Sequence, residues 1–446
     1  MTLTPGSGKT EQLLVHSIQR KLGMHRGARR LWLEGKRLTD VGFKNGIRYQ
    51  KALDAQGALT LRLSPAGDHK VSGDARRPVV DLHLSEMADA ETVYVTFEKR
   101  AITVRIIPSD GRWKDTSGRL AALNARLAAG QAWRLGSLCH GGGIASDAML
   151  RGLGGQLTFA NERDEHYMRQ SFAHGPLAQG GMSIEGDLGD IDPSVLPECD
   201  ILEAGLPCTA ASRAGKAKKG LDEQEDEEAL ADLVVAFCEV IRATSPAVVI
   251  LENVPEYADS ATAKIIRARL RRFGYVISER IVQGSDYALE ARQRWIMVAC
   301  IAGLDFNLEA LAPTVQRPAA LGEVLDKRPL AGAWKSTASF DKKAARDKAK
   351  GNGFSRGRRF LEPSATSVPT LRRGYQKGGN TDVRLAHPTR AGYARLFSAA
   401  EHARIKGIDP ALVAGLSEKK AHEILGQSVI APSFTALGAL VGRTVR

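Results

Sequence analysis

Two short segments carry the residue types best suited to covalent chemistry. Cys208 follows Gly205-Leu206-Pro207, and Glu252 opens Glu252-Asn253-Val254 44 residues later. Each segment leaves a short apolar run, the pattern of a buried parallel strand whose carboxyl end faces a ligand crevice. A thiol becomes a strong nucleophile once ionised, and a carboxyl group beside it can give or take a proton. A free cysteine ionises near pH 8.5, so positive surroundings favour the thiolate. Lys216, Lys218 and Lys219 follow Cys208 closely enough to supply them.

A second set of residues suits a nucleotide-like ligand. Ser137-Leu138-Cys139-His140-Gly141-Gly142-Gly143 follows an apolar run and precedes a helical pattern. Glycines at such a turn let the backbone approach a ligand closely. Asn161-Glu162 ends the next apolar run, where a carboxylate can accept hydrogen bonds from ribose hydroxyls. Asp187, in Gly186-Asp187-Leu188, comes next and can accept a bond from an adenine amine. Three such sites in this order predict an adenosine-containing cofactor.

The elements that would hold these residues alternate. Strands are expected over 133–139, 157–160, 199–202, 248–251 and 295–301, and helices over 144–153, 165–172, 225–244 and 261–273. Repeated strand–helix units imply an α/β fold with a parallel, doubly wound sheet. Residues 1–130 read differently, with strands at 31–33, 59–63, 93–97 and 102–106, the last two a hairpin, and a helix at about 118–129. The expected organisation is a β-rich accessory domain over 1–130 and a catalytic domain over 131–301. A basic domain over 302–394 and a helical segment over 395–446 complete it.

The chain has 446 residues, 43% hydrophobic and 25% charged, an ordinary globular composition. Its formal net charge of +13 suggests a polyanionic partner. Residues 301–395 hold 18 Lys/Arg against 8 Asp/Glu, a net of +10. Aromatic residues Trp334, Phe340, Phe354, Phe360 and Tyr375 are interleaved with these charges, as in a phosphate-gripping module. Cysteines 139, 199, 208, 238 and 300 form no zinc-like spacing, and their odd number argues against a disulfide framework. No metal is expected. No apolar run reaches the roughly 20 residues of a membrane span, so a reducing cytoplasm is the expected location.

In order and segment by segment, residues 131–446 resemble the DNA cytosine-5 methyltransferase family. Ser137 to Gly143 is similar to its first cofactor loop, Phe159 to Asp164 to its ribose site, and Gly186-Asp187-Leu188 to its adenine contact. Gly205 to Cys208 resembles the nucleophile loop, continued by Ser212 and Gly215-Lys216, and Leu251 to Pro255 the strand of the catalytic carboxyl. Asp286-Tyr287 with Arg292-Gln293-Arg294 is similar to the motif that contacts the target base. Arg395 to Glu401 with Arg404 to Gly407, and then Gly426-Gln427-Ser428-Val429, resemble the last two motifs. The resemblance departs at Cys139 and Thr209, in the acidic run 223–228, and at Glu290, where a glutamine is expected. In the N-terminal region, Arg30 to Lys36 followed by Gly42 to Gly46 resembles AbrB-like swapped-hairpin proteins, which dimerise and bind nucleic acid.

The resemblance implies a Rossmann-like sheet, S-adenosylmethionine as cofactor, target recognition over 302–394, and a C-terminal segment, 395–446, that returns to the catalytic domain. Cys139, His140, Gly141, Gly143, Glu162, Asp187, Leu188, Pro207, Gln427, Ser428 and Val429 would hold it. Cys208 would attack carbon 6 of a flipped cytosine, Glu252 would protonate the ring nitrogen, and Arg292 and Arg294 would hold the base carbonyl. Double-stranded DNA would be gripped through Ser212, Lys216, Arg356, Arg358, Arg359, Arg372 and Arg373. Further expected partners are a cognate restriction endonuclease and a second copy through the N-terminal domain. The expected setting is bacterial or phage-borne and nucleoid-associated. Rival readings are a tRNA methyltransferase of the same fold, a DNA-binding regulator acting mainly through residues 1–130, and an inactive relative.

Overall fold

The computed structural model describes residues 16–54, 58–85, 92–106, 116–207, 228–327, 332–349 and 360–444. The chain divides into two compact units, Met1–Arg112 and Trp113–Arg446. The first unit is built from β-hairpins. One sheet orders strands His16–Lys21, Thr92–Glu98, Ala101–Ile106, Leu59–Leu63, Arg48–Leu53 and His69–Lys70; a smaller one orders Gly23–His25, Ala28–Glu34, Pro78–His83 and Ser72–Gly73. Alternation drives this: Leu31 and Leu33 are buried while Trp32 between them is exposed. The expected hairpin forms, turning at Lys99-Arg100, with Arg100 at a φ of 65°.

The second unit begins with helix α1 (Thr116–Ala128). Sequence patterning places this helix at the end of the first domain. Instead its Leu123 joins the core of the second unit, and Arg119 donates to the Tyr275 hydroxyl at 2.8 Å.

Seven strands make the main sheet: β1 (Trp133–Leu138), β2 (Gly155–Glu162), β3 (Met182–Glu185), β4 (Ile201–Ala204), β5 (Val248–Asn253), β6 (Tyr275–Gln283) and β7 (Gln293–Ile301). Their order is β3-β2-β1-β4-β5-β7-β6. The first five run parallel; β7 runs antiparallel to both β5 and β6. An all-parallel sheet is therefore corrected to a mixed one. The physical reason is length: only Gly284 to Arg292 joins β6 to β7, too short for a crossover helix. The apolar stretches of β4, β5 and β7 are almost wholly buried, as central strands covered on both faces require.

Helices α2 (Ile144–Leu153), α3 (Glu165–His174), α4 (Glu228–Thr244) and α5 (Ala261–Arg272) connect the strands. Ser260 caps α5 by accepting from the Ala263 amide, a bond worth about 1 kcal/mol. A small sheet of Lys335–Ser336, Tyr393–Arg395, Arg384–Ala386 and Phe360–Leu361 stands beside α6 (Ala338–Ala349). It covers a separate core around Leu321, Val368, Leu371, Tyr375 and Phe397.

The chain then returns to the main sheet through α7 (Ala399–Ile405), α8 (Glu418–Gln427) and α9 (Ala431–Gly442). α9 lies against α2 backbone to backbone. A Cβ added at Gly438 would stand 2.3 Å from the Met149 carbonyl oxygen, which is why a glycine occupies the crossing. Among the described residues no single helix is long and apolar enough to cross a membrane; the bent pair α8 and α9 meets that test together, by length and composition.

Candidate active site

β4 and β5 end side by side, and one side chain ties their exits together. Asn253, the last residue of β5, donates from Nδ2 to the Leu206 carbonyl at 3.1 Å and accepts the Val254 amide on Oδ1 at 2.9 Å. Leu206 lies two residues before Cys208, so the strand that carries Glu252 also fixes the chain leading to Cys208. Cys208, Ser212 and Lys216 lie outside the described residues. Glu252 is in register with Ile296 of β7, and Arg294 lies two residues from Ile296 on the same face. The Arg294 guanidinium contacts the Glu252 carboxylate, and both side chains are mostly buried.

Arg292, expected beside Arg294, is turned elsewhere. Strand β7 starts at Gln293, and Arg292 in the preceding turn directs its donors to Glu290 at 3.2 Å and to the carbonyls of Leu371 and Gly426 at 2.8 Å each. Glu290 is fully buried, accepts the Leu371 amide at 2.7 Å and pairs with the buried ammonium of Lys406 at 3.2 Å. Lys406 in turn donates to the Ser428 carbonyl at 2.9 Å. Burial works against ionisation of Glu290, but Arg292 and Lys406 hold its carboxyl below the usual carboxylate range. The carboxylate, which falls near an expected glutamine, thus has two cations to answer it. The group joins the turn before β7, the small domain and the end of α8.

The crevice beside these residues opens where β1 and β4 adjoin, at the reversal of strand order where open α/β sheets bind ligands. The chain leaves β1 through Cys139, at a φ of 51°, and enters α2 from Gly143, at a φ of 79°. Glu162 braces this loop. Its Oε2 accepts the Gly141 amide at 2.7 Å and its Oε1 the Asp164 amide at 2.9 Å, leaving each oxygen a further lone pair. Asp187 caps the turn after β3 by accepting the Gly189 amide at 3.2 Å, and Leu188 behind it is buried. Ile424 of α8 leans on the loop, 2.9 Å from where a Cβ on Gly142 would stand. Gln427 is exposed and Val429 buried at the end of that helix.

The His140 ring faces the interior, away from the expected cofactor contact. Its Nδ1 lies 2.9 Å from Ser137 Oγ and its Nε2 2.8 Å from Ser171 Oγ, and burial pushes its pKa down to about 4. The Cys139 thiol is pushed up to about 12, first by burial and then by Glu162, Asp187 and Glu203, so it stays protonated.

A protein-family model described as C-5 cytosine-specific DNA methylase matches residues 134–442, which spans every element just described from β1 to α9. The chain belongs to this family. It is a DNA (cytosine-5-)-methyltransferase, and its methyl donor is S-adenosylmethionine. Among curated relatives, Type II methyltransferase M.NlaX of Neisseria lactamica is 25% identical over 285 residues, covering 63% of this chain and 86% of that protein. The DNA-cytosine methyltransferase of Escherichia coli K12 is 26% identical over 354 residues, covering 65% of this chain and 73% of that one. Two solved structures share the fold. The Dnmt2 methyltransferase of S. pombe superposes with a TM-score of 0.55 at 16% identity, over 69% of this chain and 98% of that chain. The methyltransferase EhMeth of Entamoeba histolytica gives 0.58 at 15% identity, over 71% and 99%.

The methyltransferase crevice fits its cofactor. Cβ atoms added at Gly141 or Gly186 would meet nothing within 4 Å, and one at Gly205 only the Cys139 carbonyl at 4.0 Å. That open backbone lies at the carboxyl ends of β1, β3 and β4. In the small domain, Arg356, Arg358 and Arg359 lie outside the described residues. Arg372 is engaged by Asp382 at 2.8 Å, while Arg373 is exposed. Of the aromatics interleaved with the charges, Phe354 lies outside the described residues and the others pack within the small domain. Tyr375 is buried against Phe397, Trp334 packs on His387, and Phe340 meets Phe360 edge-on beneath Arg384. Sequence reasoning missed Asn253 as a tether and Lys406 as the partner of Glu290.

Proposed function

We propose that this methyltransferase modifies double-stranded DNA through a covalent bond from Cys208 to carbon 6 of a flipped cytosine. The observation that carries the reading is the Asn253 tether, which places the chain entering Cys208 beside Glu252 and Arg294. Attack by the Cys208 thiolate on carbon 6 pushes electrons toward the ring nitrogen at position 3, and Glu252 donates a proton there. Arg294 orients Glu252 and holds the base carbonyl. The ring then becomes nucleophilic at carbon 5. S-adenosylmethionine, when bound, supplies the electrophilic methyl group. A base removes the carbon 5 proton, and the Cys208 sulfur leaves as the double bond re-forms.

A stacked cytosine presents no open face, so the base must leave the helix at a cost of a few kcal/mol. The basic small domain repays part of that through phosphate contacts. Arg292 acts at one remove, by locking Glu290, Leu371 and Gly426 around β7. The substrate is tested by transfer of labelled methyl groups to a duplex DNA pool and to tRNA under identical conditions. Label in the DNA at carbon 5 of cytosine is expected; label confined to tRNA would overturn the reading.

A further inference from the structure

Beneath the cofactor loop lies a carboxyl group that the proposed chemistry does not use. Glu203 is the third residue of β4 and is 4% exposed. It is in register with Ser137 of β1 on one side and Ile250 of β5 on the other. Residues in register share a face and steps of two keep it, so Ser137, Glu203 and Glu252 lie on one face of the sheet. Glu203 Oε2 accepts from Ser137 Oγ at 2.9 Å and Ser146 Oγ at 3.1 Å. Both hydroxyls lie against His140 Nδ1, at 2.9 and 3.2 Å, and His140 Nε2 meets Ser171 Oγ at 2.8 Å. With His140 neutral, the protons order themselves. Ser171 donates to Nε2, the Nδ1 proton goes to the two serines, and the serines donate to Glu203. The two serine hydroxyls thus converge on one carboxylate oxygen, with His140 and Ser171 behind them.

The surroundings are acidic although the whole chain carries +13. Glu162, Asp187 and Glu203 all act on Cys139 at the crevice, with Arg163 opposing them. Such a crevice suits a cation. S-adenosylmethionine carries a sulfonium charge; the product left after methyl transfer, S-adenosylhomocysteine, has a neutral thioether in its place.

We propose that Glu203 is a positioning residue whose buried carboxylate makes the crevice prefer the charged methyl donor over the uncharged product. The inference rests on the cofactor crevice and not on the Cys208 reading. Burial, and then the negative charge of Glu252, push Glu203 up to about 7. Of the groups facing it from other elements, His140 is held at about 4 and Cys139 at about 12, and the Glu252 carboxylate lies against the Arg294 guanidinium. A cation bound nearby favours the ionised carboxyl, so the donor should bind with proton release and more tightly as pH rises through 7.

The test is calorimetric titration of the full chain, without DNA, by each of the two ligands from pH 6 to pH 8. Two buffers of different ionisation enthalpy report the protons exchanged. The amino and carboxyl groups of the methionine part are common to both ligands and cancel in the affinity ratio. The donor-to-product affinity ratio is expected to rise about fivefold across this range in the wild type, with more protons released by the donor. Glu203→Gln keeps a carbonyl oxygen for the serines and should give a flat ratio. Ser137→Ala removes one bond to the carboxylate and should move the rise to higher pH. A flat wild-type ratio would overturn the proposal. So would a rise that persists in Glu203→Gln, which would assign the titration to Lys406, brought down to about 7 beside Ser428.

Discussion

Asn253 spends one amide on two backbone groups, and that economy makes it a sharp probe. Loss of the Leu206 bond frees the chain two residues before Cys208 while Glu252 and Arg294 stay in register. Asn253→Ala should lower kcat about 10- to 100-fold with cofactor affinity little changed, since small misplacements of a reacting group are costly. Steady-state kinetics beside calorimetric cofactor binding separates these effects. The buried Glu290, Arg292 and Lys406 group answers to a stability measurement instead. Lys406→Met leaves Glu290 short of a partner and should cost about 3–5 kcal/mol in chemical denaturation. Adding Glu290→Gln should restore much of that loss.

Glu203 gives a pH signature of the opposite kind. Its folded pKa of about 7 lies above its ordinary 4.5, so folding favours the protonated form. That contribution is full at low pH and fades as pH rises from about 4.5 through 7. The stability of the wild type relative to Glu203→Gln should therefore fall by roughly 2–3 kcal/mol between pH 4.5 and pH 8. Denaturant titrations at several pH values check the sign. The strand-end positions of Glu252 and Glu162 were readable because each closes an apolar run. The different tasks of Arg292 and Arg294 were not, because they depend on where β7 begins.

At the scale of elements, β1, β4 and β5 were legible because buried parallel strands read as unbroken apolar runs. The edge strands were not. β3 is four residues of mixed polarity, and β6 carries Ser278, Glu279 and Arg280 in its middle while exposing Val276. Without β6 the antiparallel turn of β7 could not be foreseen. The return of the C-terminal helices was expected from the family likeness, but its closeness depends on two glycines. A Cβ at Gly152 would stand 1.9 Å from the Thr435 carbonyl oxygen of α9, and one at Gly438 would press on α2. Gly438→Val should lower the thermal midpoint by several degrees or abolish folding, because a backbone contact cannot yield as a side chain can. Ile424 of α8, the helix leading into α9, leans toward Gly142, so a milder Gly438→Ala should weaken cofactor binding before it unfolds the chain.

For the whole molecule, charge and division matter most. The second unit holds its own core, from Leu123 to Val441, and includes every described residue of the crevice. A chain lacking residues 1–112 should fold and bind S-adenosylmethionine, as thermal shift with and without cofactor would show. Binding of the full chain to DNA should weaken steeply with salt, as expected when a basic protein releases counterions from phosphates. The central claim is the covalent step at Cys208. Duplex DNA carrying 5-fluorocytosine in place of cytosine blocks loss of the carbon 5 substituent and traps the adduct. Mass spectrometry after incubation with S-adenosylmethionine should find methylated fluorocytosine attached to the peptide containing Cys208, and none in Cys208→Ser. An active wild type that transfers methyl groups to ordinary duplex DNA yet traps no adduct on that peptide would contradict the account.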